Sequence, residues 1–109
     1  MTAASMPRVR VPTSAKRGEV IEIRTLITHA MESGFRKDDA GRLVPRKILS
    51  KFTASFNGAV IFEADWHPAV AANPQQSFYF KARESGEFQF TWTDDDGSVY
   101  GTKAKLAVT

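Results

Sequence analysis

Phe88-Gln89-Phe90-Thr91-Trp92-Thr93 alternates a large aromatic with a polar side chain at every step. Side chains of a strand point to opposite faces with a period of two, so these six residues put three rings on one face and three polar groups on the other. A helix would scatter the same rings around its circumference. The pattern recurs upstream. Phe78, Phe80 and Ala82 alternate with Tyr79, Lys81 and Arg83, and Phe52, Ala54 and Phe56 with Lys51, Thr53 and Ser55. Val60, Phe62, Ala64 and Trp66 alternate with Ile61, Glu63 and Asp65. In each run the first-named set is expected to face a core.

Turn chemistry falls between the runs. Asn57-Gly58 marks a two-residue hairpin, because both central residues of a type I′ turn need positive φ. Ser85-Gly86 and Asp96-Gly97 punctuate the later strands. Arg8–Val11 and Glu19–Ala30 also read as strands, separated by a turn-rich Pro12–Gly18. The expected strands are therefore about seven, at roughly 8–12, 19–30, 46–57, 59–66, 77–83, 87–94 and 98–108. Met31–Pro45, with charges, two glycines and a proline, reads as an exposed loop longer than most connections, and such loops tend to be functional. His67–Pro74 is expected to be a crossover or edge segment, since Pro68 and Pro74 cannot donate to a ladder. Seven short strands at this spacing predict an all-β fold, an immunoglobulin-like antiparallel β-sandwich, with a closed barrel as the alternative. Residues 7–109 form one domain in this reading, preceded by a flexible amino terminus over 1–6.

The 109 residues suffice for one domain, and 42% apolar content is enough for a core. All but one of the twelve aromatics lie at or beyond Phe52, so the carboxy-terminal hairpins are expected to carry most of that core. No run approaches the roughly 20 apolar residues of a membrane helix. Cysteine is absent, which removes disulfides, thiolate nucleophiles and cysteine-bound metals from this chain. Residues 1–51 carry 11 basic and 5 acidic side chains, whereas residues 52–109 carry 4 and 7. The overall charge of +3 is too modest, and too dispersed, to predict nucleic-acid binding. It suits a surface that steers anions or keeps the chain in solution. Met1 to Arg10 contains no apolar stretch of a secretory signal, and an exported chain riding on a signal-bearing partner would look the same.

Catalytic patterns are missing. His29 and His67 are far apart in sequence, with no paired metal-ligand spacing, and no G-x-S-x-G elbow or glycine-rich phosphate loop occurs. Neither an enzyme activity nor a cofactor is expected. Two clusters stand out instead. Asp94-Asp95-Asp96-Gly97 reads as a hairpin tip whose Asp side chains bond their own backbone, with a partner contact or a cation site as the alternatives. Three adjacent carboxylates repel one another, so a neighbouring Lys or Arg is expected. The second cluster runs from His29 through Met31, Glu32, Phe35, Arg36 and Lys37. It is either a solvated loop with Phe35 covering a corner of the core, or a recognition loop, because Phe, Met and Arg are enriched at interface centres. Arg42, Arg46 and Lys47 extend its basic surface. The candidate recognition set is His29, Met31, Glu32, Phe35, Arg36, Lys37, Arg46, Asp94, Asp95 and Asp96.

The same clusters carry a resemblance. Pro7-Arg8-Val9-Arg10-Val11-Pro12, the H-x-M-E-S-G-x-R-K-D run from His29 to Asp38, Leu43-Val44-Pro45-Arg46, Phe56-Asn57-Gly58 and the F-x-F-T-W-x-D-D-D-G-S-x-Y run from Phe88 to Tyr100 resemble the SoxZ family. These are the Z subunits of the SoxYZ sulfur carrier of thiosulfate oxidation. The resemblance covers about residues 7–108. It implies a non-catalytic, immunoglobulin-like subunit that pairs with a SoxY-like partner. That partner's cysteine, on a flexible carboxy-terminal arm, carries the sulfur intermediates. It further implies transient contacts with sulfur-oxidation enzymes, and a periplasmic location reached on the partner's export signal.

Two other readings compete. A free-standing carbohydrate- or ligand-binding sandwich would expose aromatics on one flat face and need no partner. A small metalloenzyme of the superoxide-reductase kind needs a histidine-rich iron site closed by a cysteine, which two histidines and no cysteine do not supply.

Overall fold

The computed structural model describes residues 6–109, so most of the amino-terminal segment expected to be flexible lies outside the described residues. The chain forms β1 (Pro7–Arg10), β2 (Ser14–Ala15), β3 (Val20–Ile27), β4 (Leu49–Phe56), β5 (Ala59–Asp65), β6 (Gln75–Lys81), β7 (Gly86–Asp94) and β8 (Val99–Val108). They build a three-stranded sheet in the order β1-β3-β6 and a five-stranded sheet in the order β2-β8-β7-β4-β5. The two sheets stack as an open, immunoglobulin-like sandwich rather than a closed barrel. Seven of the strands fall within or beside the seven expected segments. The eighth, β2, lies within the stretch read as turns. Its two residues pair parallel to Ala107 and Val108, a ladder too short to leave any periodicity in the sequence.

The inward sets of the two sheets meet in an aromatic core centred on Phe52. Its ring is fully buried and lies 5.1 Å from Trp92 and 5.9 Å from Trp66, with which it is nearly parallel. Phe62 stacks on Phe78 at 4.8 Å, and Phe56 tilts against Phe80 at 4.9 Å. These last contacts join β4 and β5 to β6, so they bind one sheet to the other. Offset and tilted ring pairs add about 0.5–1.5 kcal/mol each beyond the area they bury. From β3, Ile23 and Ile27 complete the layer.

Asn57 and Gly58 both have positive φ, 50° and 84°, as a two-residue hairpin requires. Beyond the turn the register slips between Ala54 and Ser55, which pair with Phe62 and Val60 and leave Ile61 as the extra residue. This bulge corrects one expectation: Val60 points out and is 61% exposed, while Ile61 packs against the core. A bulge places two residues opposite one and re-aims the side chains beyond it, which strict alternation does not anticipate.

Replacing Phe52 with Ala removes the ring shared by both sheets. The expected loss is about 3–5 kcal/mol, a fall in Tm of about 15 °C, measurable by calorimetry or denaturant titration.

Candidate recognition site

The long connection between β3 and β4 is not a free loop. Glu32 and Lys47 exchange backbone hydrogen bonds at 2.9 and 2.8 Å, Val44 N–H donates to Arg36 O, and Asp38 N–H donates to Arg42 O. The segment is therefore a narrow hairpin that projects from one end of the sandwich. At its turn, the Asp38 carboxylate accepts the N–H groups of Ala40 and Arg42. At its base, Gly34 has φ of 88°, and a Cβ there would come within 3.0 Å of Arg46 Cβ, so glycine lets the two arms approach.

The base is bolted to the core by a buried carboxylate. Asp94 ends β7 and is only 2% exposed. Its Oδ2 accepts His29 Nε2–H at 2.7 Å and Lys47 Nζ at 3.0 Å. Met31 N–H donates to His29 Nδ1 at 2.8 Å, which leaves the ring proton on Nε2, facing the carboxylate. The His29 backbone is held in turn by Asn73, whose Oδ1 accepts the His29 N–H and whose N–H donates to His29 O. Met31 sits at φ of 51°, an uncommon conformation for a side chain of its size, with its sulfur 3.3 Å from Leu49 N. Burial of Met31 and the bond to His29 hold it there.

Each of the three consecutive carboxylates has its own set of donors, with Lys47 shared between Asp94 and Asp96. Asp95 takes both Arg46 Nε and Nη2 at 2.9 Å and also accepts Ile48 N–H. Asp96 caps Ser98 N–H at 2.8 Å and lies 3.4 Å from Lys47 Nζ. The cations that a crowded acidic tip demands, Arg46 and Lys47, come from the base of the β3–β4 hairpin. Burial works to raise the Asp94 pKa, but the bonds from His29 and Lys47 outweigh it and hold the carboxyl below its ordinary range. The Arg46 fork lowers Asp95, and the Ser98 N–H lowers Asp96. The Asp94 bond raises Lys47.

The candidate residues thus fall into two groups. His29, Met31 and Asp94 are interior, and with Asp95, Asp96 and Arg46 they position the hairpin. Glu32 is bound by Arg36 Nε and Nη2, the latter at 2.6 Å. Phe35 is 79% exposed and lies outside the core, with Arg36 and Lys37 exposed beside it. Two residues outside the candidate set matter. Leu43, 62% exposed, is bridged to Lys37 across the hairpin and is its second exposed large apolar side chain. Lys47 joins hairpin and tip. The Lys or Arg that three adjacent carboxylates call for was the signal for Lys47; Leu43 lies in the Leu43-Val44-Pro45-Arg46 segment of the family resemblance, which gives it no role. Among the described residues, no three His, Asp or Glu side chains are grouped so as to hold a metal ion.

Asp94→Ala would strand the His29 N–H and free the hairpin base, at an expected cost of about 3 kcal/mol in denaturant titration. Because the folded-state pKa values of Asp94, Asp95 and Asp96 lie below their unfolded ones, these groups stabilise the fold above about pH 4 and lose that contribution as pH falls further. The melting temperature should fall as pH drops below about 4, with a shallower fall in Asp94→Asn.

The comparisons agree with this architecture. A superoxide reductase (neelaredoxin) from Ignicoccus hospitalis superimposes with a TM-score of 0.71 at 14% identity, over 94% of this chain and 80% of that one. The sulfur carrier protein SoxY from Chlorobium limicola f thiosulfatophilum gives 0.68 at 10% identity, over 94% and 78%. At such identities both likenesses speak for the fold alone. No curated protein sequence matches the chain. The family model described as sulphur oxidation protein SoxZ matches residues 9–105, which include the hairpin, its buried anchor and the acidic tip, and the chain therefore belongs to the SoxZ family.

Proposed function

We propose that this chain is the non-catalytic subunit of a heterodimeric sulfur carrier in thiosulfate oxidation. Its partner is a SoxY-like subunit whose carboxy-terminal cysteine bears the sulfur intermediates. The chain has no cysteine of its own to load. Its contribution is surface: one region to hold the partner, another to be read by the enzymes that act on the carrier. The pair works in the periplasm, which the chain reaches together with its partner.

The observation that carries the pairing is the side of the sandwich between β5 and β6. Each is an outer strand of its sheet, so both present unpaired backbone. β5 opens with the apolar Ala59, Val60, Ile61 and Phe62 and carries its charges, Glu63 and Asp65, only in its second half. Val60 projects from it, and Phe62 and Phe80 are only partly covered there. An apolar edge of this kind is an aggregation hazard unless a second protein covers it.

Enzyme recognition falls to the hairpin prong at the sandwich end. Phe35 and Leu43 stand exposed on a scaffold that is already braced, so little ordering entropy opposes their insertion into a partner's cleft.

Two measurements test these assignments. Co-expressed with a SoxY-like subunit, the wild-type chain should elute as a 1:1 complex, and Val60→Lys should weaken that complex about tenfold or more, since an edge charge opposes pairing. A well-behaved monomer that ignores the partner would favour a free-standing binding module. Phe35→Ala should leave Tm within about 1 °C and reduce enzyme turnover of the assembled carrier about tenfold. Unchanged turnover removes the hairpin from enzyme recognition.

A further inference from the structure

The two outer faces of the sandwich differ in charge. On the five-stranded sheet, cations and carboxylates pair across strands: Lys51 with Glu63 at 3.4 Å, and Lys103 with Glu87 at 4.0 Å. On the three-stranded sheet the register aligns Arg10 with Arg24 and Arg8 with Leu26, and places Lys81 on the same face. The one carboxylate there is Glu22, which accepts Arg24 Nε at 2.7 Å. Among the described residues, neither Arg8 nor Arg10 forms an ion pair. Like charges directly opposite on neighbouring strands destabilise a sheet, yet Arg10 and Arg24 face each other here with Arg8 two residues away.

Glu22 offsets Arg24 in part, but among the described residues no carboxylate answers Arg8 or Arg10. Shallow cavities of about 500 and 440 Å³ both take in Arg10 and Arg24. Tyr79, 72% exposed, and the half-buried Leu26 share the surface. The face is too open to enclose a small anion. Three guanidiniums beside a tyrosine and a leucine have the composition of a protein interface, where Arg and Tyr are enriched. Arg forks also match carboxylates two bonds at a time.

We infer that the outer face of the three-stranded sheet, with Arg8, Arg10 and Arg24 at its centre, docks a carboxylate-rich surface of a transient protein partner. Charge-led docking of this type is fast and salt-sensitive, unlike the permanent pairing assigned to the β5–β6 side. The inference stands on charge and register alone and does not require the heterodimer.

The test is an NMR titration of the isotopically labelled full chain with an octaglutamate peptide. Amide shifts are expected at residues 8–10, 22–26 and 75–81, with affinity falling about tenfold as salt rises from about 20 to about 200 mM. Arg8→Glu combined with Arg10→Glu should abolish binding, whereas Lys103→Glu combined with Lys105→Glu on the opposite face should change it less than about twofold. Arg10→Gln should weaken binding and at the same time raise Tm, because it relieves the Arg10–Arg24 repulsion. Shifts on another face would overturn the inference, and so would a lower Tm in Arg10→Gln. Equal shifts from inorganic sulfate at matched ionic strength would reduce the face to a small-anion site. Tighter binding of duplex DNA or of phosphatidylglycerol vesicles would assign it to those ligands instead. Repeated on the assembled heterodimer, the titration should give the same shifts; their loss would place the face in the permanent interface and overturn transient docking.

Discussion

A carboxylate withdrawn from water has to find donors, and the donors of Asp94 come from separate parts of the chain. His29 follows the end of β3, and Lys47 closes the long hairpin; Asp94 itself begins the turn between β7 and β8. Leaving such a group unpaired would cost more than most single contacts contribute. The arrangement therefore forms as a unit. It fixes the His29 tautomer through Met31, ties the β5–β6 crossover through Asn73, and brings Arg46 within reach of Asp95. The projecting hairpin is rigid at its base because one buried charge requires it.

Three surfaces of different chemistry surround this frame. The β5–β6 side offers open edges, with Val60 exposed and Phe62 and Phe80 only partly covered. The outer face of the three-stranded sheet is basic, whereas that of the five-stranded sheet carries both signs, with Lys51 paired to Glu63 and Lys103 to Glu87. The role proposed above, held by one partner and read by others, would draw on such separation, since apolar area favours permanent contact and unmatched charge favours rapid, reversible contact. The fold shared with a superoxide reductase and with a SoxY carrier fits the same view: the sandwich is a frame, and what it does depends on the side chains placed around it.

The strands were legible because each has one wet face and one dry face, and rings such as Phe88, Phe90 and Trp92 record that alternation directly. The Asn57-Gly58 turn was legible because few other residues accept positive φ twice in succession. The cation beside the acidic tip was foreseeable from repulsion alone, though its origin in the β3–β4 hairpin was not. Val60 was misplaced because a bulge adds a residue without altering the composition of the run. β2 went unseen because its two residues leave no period to read. The hairpin's own ladder stayed hidden because its backbone bonds involve charged and polar residues that look the same in a solvated loop.

By itself, then, the order of residues determined seven of the eight strands, the aromatic layer, the sandwich class and the lack of a thiol, because periodicity and composition are local properties. Which cations are consumed internally and which remain at the surface was decided only in three dimensions. Arg46 and Lys47 read as free basic surface along the chain, yet folding hands both to carboxylates about fifty positions away. Arg8, Arg10 and Arg24 are scattered along the chain, yet strand register sets them side by side. Coulomb energy depends on distance through space, and only the tertiary structure supplies that distance.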